Sequence, residues 1–303
     1  MTTEAHTTES RRTSLLATAA LLGVTACWGS TFFLIHDLVE RVPPVDFLAL
    51  RFSIAAVLLL VVAPKAVLRL SAEARRQALV LGGLYGVAQI MQTVGLAHTP
   101  ASVSGFITGM YVVATPLFAA VLLHNRITAM TWAAVLLAFC GLAVLTLDGL
   151  SVGYGEAITF LAALLYALHI VGLGAWSNAS DAIGMSIVQI VVVAVICLVA
   201  SAPHGIVLPD NGRDWLSVVY MAVFPAAIAL LAQTWAQAHL PATRAAIVMS
   251  MEPVFAALFA VWFGGESMTV RMVTGGVLVL TAMLIVEIGP RRKIEAEVPH
   301  IAV

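Results

Sequence analysis

The chain has 303 residues, 61% of them hydrophobic and only 10% charged, with 15 basic side chains against 16 acidic ones. Soluble domains carry about 45–50% apolar and roughly 25% charged residues, so this composition, with a mean hydropathy of +1.01, excludes a soluble enzyme and places the chain in a membrane. A net charge of -1 excludes a basic surface for nucleic acid, and Cys27, Cys140 and Cys197 lie in apolar runs without the spacing of disulfides or a metal site.

At the N-terminus, Ser10-Arg11-Arg12-Thr13 resembles a twin-arginine leader and Val24-Thr25-Ala26-Cys27 a lipoprotein cleavage box. The apolar run nevertheless continues through Trp28-Gly29-Ser30-Thr31-Phe32-Phe33 to spanning length, so the arginine pair reads as a cytoplasmic anchor. Breaks at Gly, Pro and charge clusters then predict ten spans, at about 13–35, 44–63, 77–97, 101–123, 128–147, 155–174, 182–202, 214–238, 242–263 and 269–288. The longest connections, 64–76 and 203–213, are too short for a separate catalytic domain. With the N-terminus inside, only Arg41, Arg213 and Arg271 fall on the outer side and Arg51 within a span, while the other basic residues, including Arg291-Arg292-Lys293, fall inside. Ten spans with both termini cytoplasmic, in the inner or plasma membrane, satisfy that bias.

An offset of 141 residues aligns the chain with itself: Gln92-Thr93 meets Gln233-Thr234, and Ala97-His98-Thr99-Pro100-Ala101 meets Ala238-His239-Leu240-Pro241-Ala242. The shared proline ends one span and primes the next. Each unit holds five spans, an odd number, so the second lies upside down relative to the first. The expected fold is an all-α integral membrane protein with ten transmembrane helices in two inverted five-helix repeats, 13–150 and 151–290, between cytoplasmic tails 1–12 and 291–303. Inverted repeats are a recurrent basis of alternating access, although a channel can also contain them.

The chain over about 13–290 resembles the drug/metabolite transporter superfamily, in its ten-span EamA-like branch. The marks are Trp28-Gly29-Ser30-Thr31-Phe32, Arg51-Phe52, Gly109-Met110-Tyr111-Val112-Val113, Pro116-Leu117 and Met251-Glu252-Pro253-Val254-Phe255-Ala256-Ala257-Leu258, followed by Gly265-Glu266 and Gly275. Asn125 stands where the first half would match Glu266. The resemblance implies a carrier of small organic solutes or amino acids, often outward, and does not choose among them.

Polar groups inside spans are expensive without partners and therefore mark candidate sites. Glu252, near the middle of the ninth span, reads as a proton-coupling or amine-binding group, or as a buried acid tying two helices. Arg51 reads as a ligand for a substrate carboxylate, a partner of Glu252, or a side chain snorkelling to the outer interface. Tyr85, Gln89 and Gln92 share one helix face, and the repeat brings Gln233, with Gln237, to the second half; amides suit a neutral or zwitterionic solute or act as interhelical glue. Trp28, Tyr111, Tyr166 and Trp235 join Tyr85 as aromatic lining, Tyr166 standing near the position of Trp28 with a drift of three residues from the repeat register. His169 reads as a hydrogen-bonded core imidazole or a proton relay. Pro116, Pro225 and Pro253 lie inside spans, where kinks form hinges.

No Gly-x-x-x-x-Gly-Lys-Ser/Thr, His-Glu-x-x-His or Gly-x-Ser-x-Gly sequence occurs, which argues against ATP drive and against an intramembrane hydrolase. The expectation is a secondary-active or facilitated carrier, by export, around a cavity lined by spans one, three, four, six, eight and nine; the alternative is a non-coupled channel. No cofactor or metal is implied. The partners are a small-molecule substrate, the lipid bilayer and, with coupling at Glu252 or Arg51, a proton. A lone Gly105-x-x-x-Gly109 does not establish a dimer, and the chain is expected to act as a monomer or weak homodimer.

Overall fold

The computed structural model describes residues 2–99, 101–124, 126–146, 153–263 and 267–288. The expected Gly265-Glu266 pair, its counterpart Asn125 and the Arg291-Arg292-Lys293 cluster lie outside the described residues. The chain is 82% helix, with no strand among the described residues. In order the helices are α1 (Thr2–Gly29), α2 (Thr31–Leu38), α3 (Pro44–Val62), α4 (Ala66–Arg69), α5 (Ala72–Leu96), α6 (Ala101–Gly109), α7 (Tyr111–Leu122) and α8 (Ala129–Thr146). They continue as α9 (Tyr154–Trp176), α10 (Ala182–Ser201), α11 (Gly212–Met221), a π-helical turn (Ala222–Ile228), α12 (Ala229–Gln237), α13 (Ala242–Met249), α14 (Glu252–Phe263) and α15 (Val270–Ile288).

Seven helical stretches among the described residues are long and apolar enough to cross a membrane: Arg12–Ile35, Pro44–Val62, Ala72–Leu96, Tyr154–Trp176, Ala182–Ser201, Gly212–Gln237 and Ala242–Phe263. Ile107–Leu122, Ala129–Val144 and Val273–Ile285 are shorter apolar helices. Start signals explain the boundaries. Pro44 opens α3 from its first position, where its missing N–H costs nothing. The third span begins earlier than hydropathy predicts, because the Ser71 hydroxyl accepts from the Ala74 amide at 3.0 Å and carries the polar Glu73-Ala74-Arg75-Arg76 into the helix.

Glycine lets backbones touch where no apolar drive separates helices from lipid. α5 runs along α9 and α1 along α12. At the end of α5, a Cβ on Gly95 would lie 2.9 Å from the Gly155 carbonyl oxygen, and one on Gly155 2.9 Å from that of Gly95.

Three apolar passages are interrupted: at Ser30, at Met110, and at Ser250-Met251. The last two fall at equivalent places under the 141-residue offset, since Met110 corresponds to Met251. Side-chain hydroxyls satisfy carbonyls beside two of the breaks: Ser30 Oγ donates to Cys27 O (2.7 Å), Thr31 Oγ1 to Trp28 O (2.7 Å) and Ser250 Oγ to Ile247 O (2.6 Å). The prolines act differently from one another. Pro253 stands second in α14, within its permissive first turn, Pro116 is interior to α7, and Pro225 sits in the π-helical turn. Pro225 has no N–H for an ordinary helical bond to the Met221 carbonyl, and the wider turn spans that gap.

Candidate functional site

The interrupted helices surround a central cavity. Its wall is drawn from both halves: Trp28 of α1, Thr31, Phe32 and Ile35 of α2, Arg51 of α3, Tyr85, Gln89, Gln92, Thr93 and Leu96 of α5, Thr108 of α6 and Tyr111 of α7 on one side. Tyr166, His169 and Ile170 of α9, Gln233 of α12, Met249 of α13 and Glu252 of α14 complete it. The last residues of the broken passages thus meet the wall beside the breaks, with Thr108 and Tyr111 flanking Met110, and Met249 and Glu252 flanking Ser250-Met251. Gly29 permits this arrangement: a Cβ there would sit 2.9 Å from the Glu252 carbonyl oxygen and 2.8 Å from the Ala256 amide nitrogen.

An oriented chain of hydrogen bonds joins the two sides of the wall. Gln89 Nε2 donates to the Tyr166 hydroxyl at 2.9 Å, that hydroxyl donates to Gln92 Oε1 at 2.7 Å, and Gln92 Nε2 donates to Thr108 Oγ1 at 3.1 Å. Tyr166 therefore fixes both amides. Its ring centroid lies 5.9 Å from that of Tyr85, which in turn stacks on His169 at 5.0 Å. The Gln189 amide donates to Met185 O at 3.2 Å, so its Oε1 accepts from His169 Nε2–H at 2.8 Å and leaves Nδ1 as an acceptor. His169 is 1% exposed, and this arrangement is that of the hydrogen-bonded core imidazole.

On the second-half wall, Gln233 Nε2 donates to Gln237 Oε1 at 3.0 Å and approaches Met249 Sδ at 3.8 Å, while Gln237 Nε2 donates to Ile170 O at 2.8 Å. Gln237 supports the wall from behind rather than lining it. Trp28 Nε1 donates to Pro225 O at 2.9 Å. The hydroxyls of Tyr85 and Tyr111 and the Oε1 of Gln233 have no hydrogen-bond partner among the described residues.

The two charges expected inside spans both line the cavity. Arg51 is 3% exposed; it does not snorkel, because its Nε donates at 3.1 Å to Met221 O, the carbonyl four residues before Pro225, and its guanidinium lies over the Phe47 and Phe52 rings at 5.9 and 5.1 Å. Glu252 is 7% exposed and forms no ion pair among the described residues, with Arg51 or any other base. Beyond the cavity, one end of the bundle is tied by Arg41, which grips Asp214 with Nε and Nη2 at 2.9 and 2.8 Å and Asp37 at 2.7 Å. Hydrogen bonding to Arg41 holds the Asp37 carboxyl below the usual carboxylate range, and Asp214 and Asp37 together raise Arg41. At the opposite end Arg244 Nη1 donates to Ser14 Oγ at 2.9 Å.

Trp28, Tyr85, Gln89, Gln92, Tyr111, His169, Gln233 and Glu252, singled out from sequence, stand together on this wall with Arg51 and Tyr166. Pro116, Pro225 and Pro253 lie off it, and Trp235 packs on His239 instead, at 4.8 Å. Span two enters the lining through Arg51. Sequence reasoning passed over Thr31, Phe32, Ile35, Thr93, Leu96, Thr108, Ile170 and Met249, which carry no charge and look like ordinary core. One signal was available: the offset that aligns Gln92 with Gln233 also aligns Thr108 with Met249 and Tyr111 with Glu252.

The sequence profile of the EamA-like transporter family matches residues 15–147 and, a second time, residues 153–288. An uncharacterized transporter of Archaeoglobus fulgidus is 28% identical over 279 residues, 90% of this chain and 86% of that protein. A probable terminal-alkyne amino-acid exporter of Streptantibioticus cattleyicolor is 25% identical over 105 residues, 35% of each chain. A solved crystal structure shares the fold with a TM-score of 0.75 over 91% of this chain and 98% of that one, at 20% identity.

Proposed function

This chain belongs to the EamA-like transporter family, and from that premise we propose that it exports a small organic metabolite, such as an amino acid, by alternating access to the central cavity. We read the seven long apolar stretches and the three shorter ones as ten passages in two units of five, 13–150 and 151–290, a reading that the twofold profile match favours. An odd number per unit inverts the second relative to the first, leaving tails 1–12 and 291–303 on the cytoplasmic face of the cell membrane. The relative described as an amino-acid exporter favours that class, over about a third of the chain.

The observation that carries this reading is the composition of the wall. Repeat-related pairs, Gln92 with Gln233, Tyr111 with Glu252 and Thr108 with Met249, converge on one cavity beside two equivalent helix breaks, the arrangement that suits two gates exchanging around a shared site. A carboxyl can hold a proton or a cationic ligand in turn, so Glu252 is the coupling residue of a proton-driven cycle, whereas facilitated diffusion needs no such exchange.

The test is counterflow in proteoliposomes with a panel of amino acids and amines, with and without a pH gradient. Saturable counterflow is expected for a carrier. Flux that never saturates and shows no counterflow would make the protein a channel. Counterflow indifferent both to the gradient and to Glu252→Gln would remove proton coupling and leave facilitated transport.

A further inference from the structure

The cavity wall sorts its unpartnered polar atoms by kind. On one part of it, Arg51 uses Nε on Met221 O, and its two terminal nitrogens, which donate only, make no hydrogen bond among the described residues. Tyr85, whose ring meets Phe52 at 6.1 Å beneath the same guanidinium, adds a hydroxyl without a partner. On the other part, the Glu252 carboxyl accepts nothing among the described residues. Gln233, held beside the α13–α14 break by its approach to Met249 Sδ, offers a carbonyl oxygen without a partner. Arg51, Tyr85, Tyr166, Gln233 and Glu252 all line the same cavity.

Such a division is costly for the empty protein. Arg51 is buried with its terminal donors unused, and the Glu252 carboxyl is buried with no base among the described residues to pair with. A singly charged ligand would meet one of them and leave the other unmet. A ligand bearing both charges meets both, and its complex with the protein is neutral as it crosses the bilayer. We propose that the cavity selects a zwitterion, with the ligand's carboxylate on Arg51 and the Tyr85 hydroxyl and its ammonium on Glu252 and the Gln233 carbonyl. This deepens the transport reading and rests on it.

The probes are radiolabelled leucine, leucinamide, which keeps only the ammonium, and N-acetylleucine, which keeps only the carboxylate, in counterflow with the reconstituted full chain. The wild-type protein is expected to carry leucine at least about tenfold faster than either derivative, the factor for leaving one buried charge without its hydrogen bonds. Glu252→Gln is expected to move the preference toward N-acetylleucine, and Arg51→Gln, which keeps an amide donor for Met221 O, toward leucinamide. The proposal is overturned if the wild type carries either derivative as well as leucine, if an amine from the panel exchanges while no amino acid does, or if both variants depress all three probes alike. The wild-type series decides the matter even where a variant fails to fold. Absence of saturable exchange for every solute would instead remove the carrier reading itself, so the two failures are distinct.

Discussion

The two halves of the chain make the same helix break and then diverge on either side of it. After Met110 comes Tyr111, a neutral phenol; after Met251 comes Glu252, a carboxyl, and both face the cavity. Further out, the first half lends Ile35, Thr93 and Leu96 to the cavity wall. Their counterparts, Leu173 at an offset of 138 and Thr234 and Gln237 at 141, are absent from that wall, although all six side chains are buried. Gln237, for instance, is spent on the Ile170 carbonyl. α13, all of whose residues are buried, brings Met249 to the wall in the second half where α6 brings Thr108 in the first. Related segments thus contribute unequally to the cavity, and the lining residues Ile35 and Leu96 come from the helix ends nearer Arg41.

The sharpest way to break that comparison is cysteine labelling in a variant lacking Cys27, Cys140 and Cys197. Ile35→Cys, Thr93→Cys and Leu96→Cys are expected to react with a polar thiol reagent about tenfold or more faster than Leu173→Cys, Thr234→Cys and Gln237→Cys, since access limits thiol chemistry. Equal rates would mean that the two ends do not differ in solution. Next in size is a packing test. Gly95 corresponds to Ala236, and the first half tolerates no methyl where the second already has one. Gly95→Ala should therefore lower stability by about 1–3 kcal/mol through overpacking against Gly155, seen as a fall in thermal midpoint in detergent, whereas Ala236→Gly should cost about 1 kcal/mol or less.

A subtler asymmetry lies in the amides. Tyr166→Phe removes the hydroxyl between Gln89 and Gln92 and should cost about 1–2 kcal/mol and raise the ligand concentration for half-maximal counterflow; no change in either would show that the relay is not what orients these amides. The smallest effect concerns the Arg41 clamp. Because Asp37 is lowered by its bond to Arg41, its contribution is complete above the ordinary aspartate range and disappears only as pH falls through the lowered value. Arg41 is raised, so its contribution persists until pH rises through a strongly alkaline value. Between about pH 5 and 8 the clamp is constant, and Asp37→Asn should leave the shape of the pH profile of counterflow unchanged.

Much of the wall was legible beforehand because charged and amide side chains are rare in apolar helices and therefore stand out. Glu252, Arg51, Gln89, Gln92 and Gln233 needed only their identity and depth. Tyr85 followed from sharing a helix face with the two glutamines, a rule of helical spacing. What was not legible was partnership. The link between Arg51 and Met221 O joins residues 170 positions apart, and no spacing rule reaches that far. Nor did sequence distinguish Gln237, which faces Ile170 O, from Gln233, which faces the cavity, although they lie one turn apart.

From its sequence alone this protein is a helical membrane protein built from a duplicated unit, with two charges placed inside spans. Hydropathy, proline and offset are local or periodic properties that survive without coordinates. Which charges pair, where a passage breaks, and which of two equivalent segments meets the cavity were decided only by tertiary packing. The physical reason is that a buried polar group takes its meaning from the atoms within about 3 Å of it, and in this bundle those atoms come from distant turns of the chain.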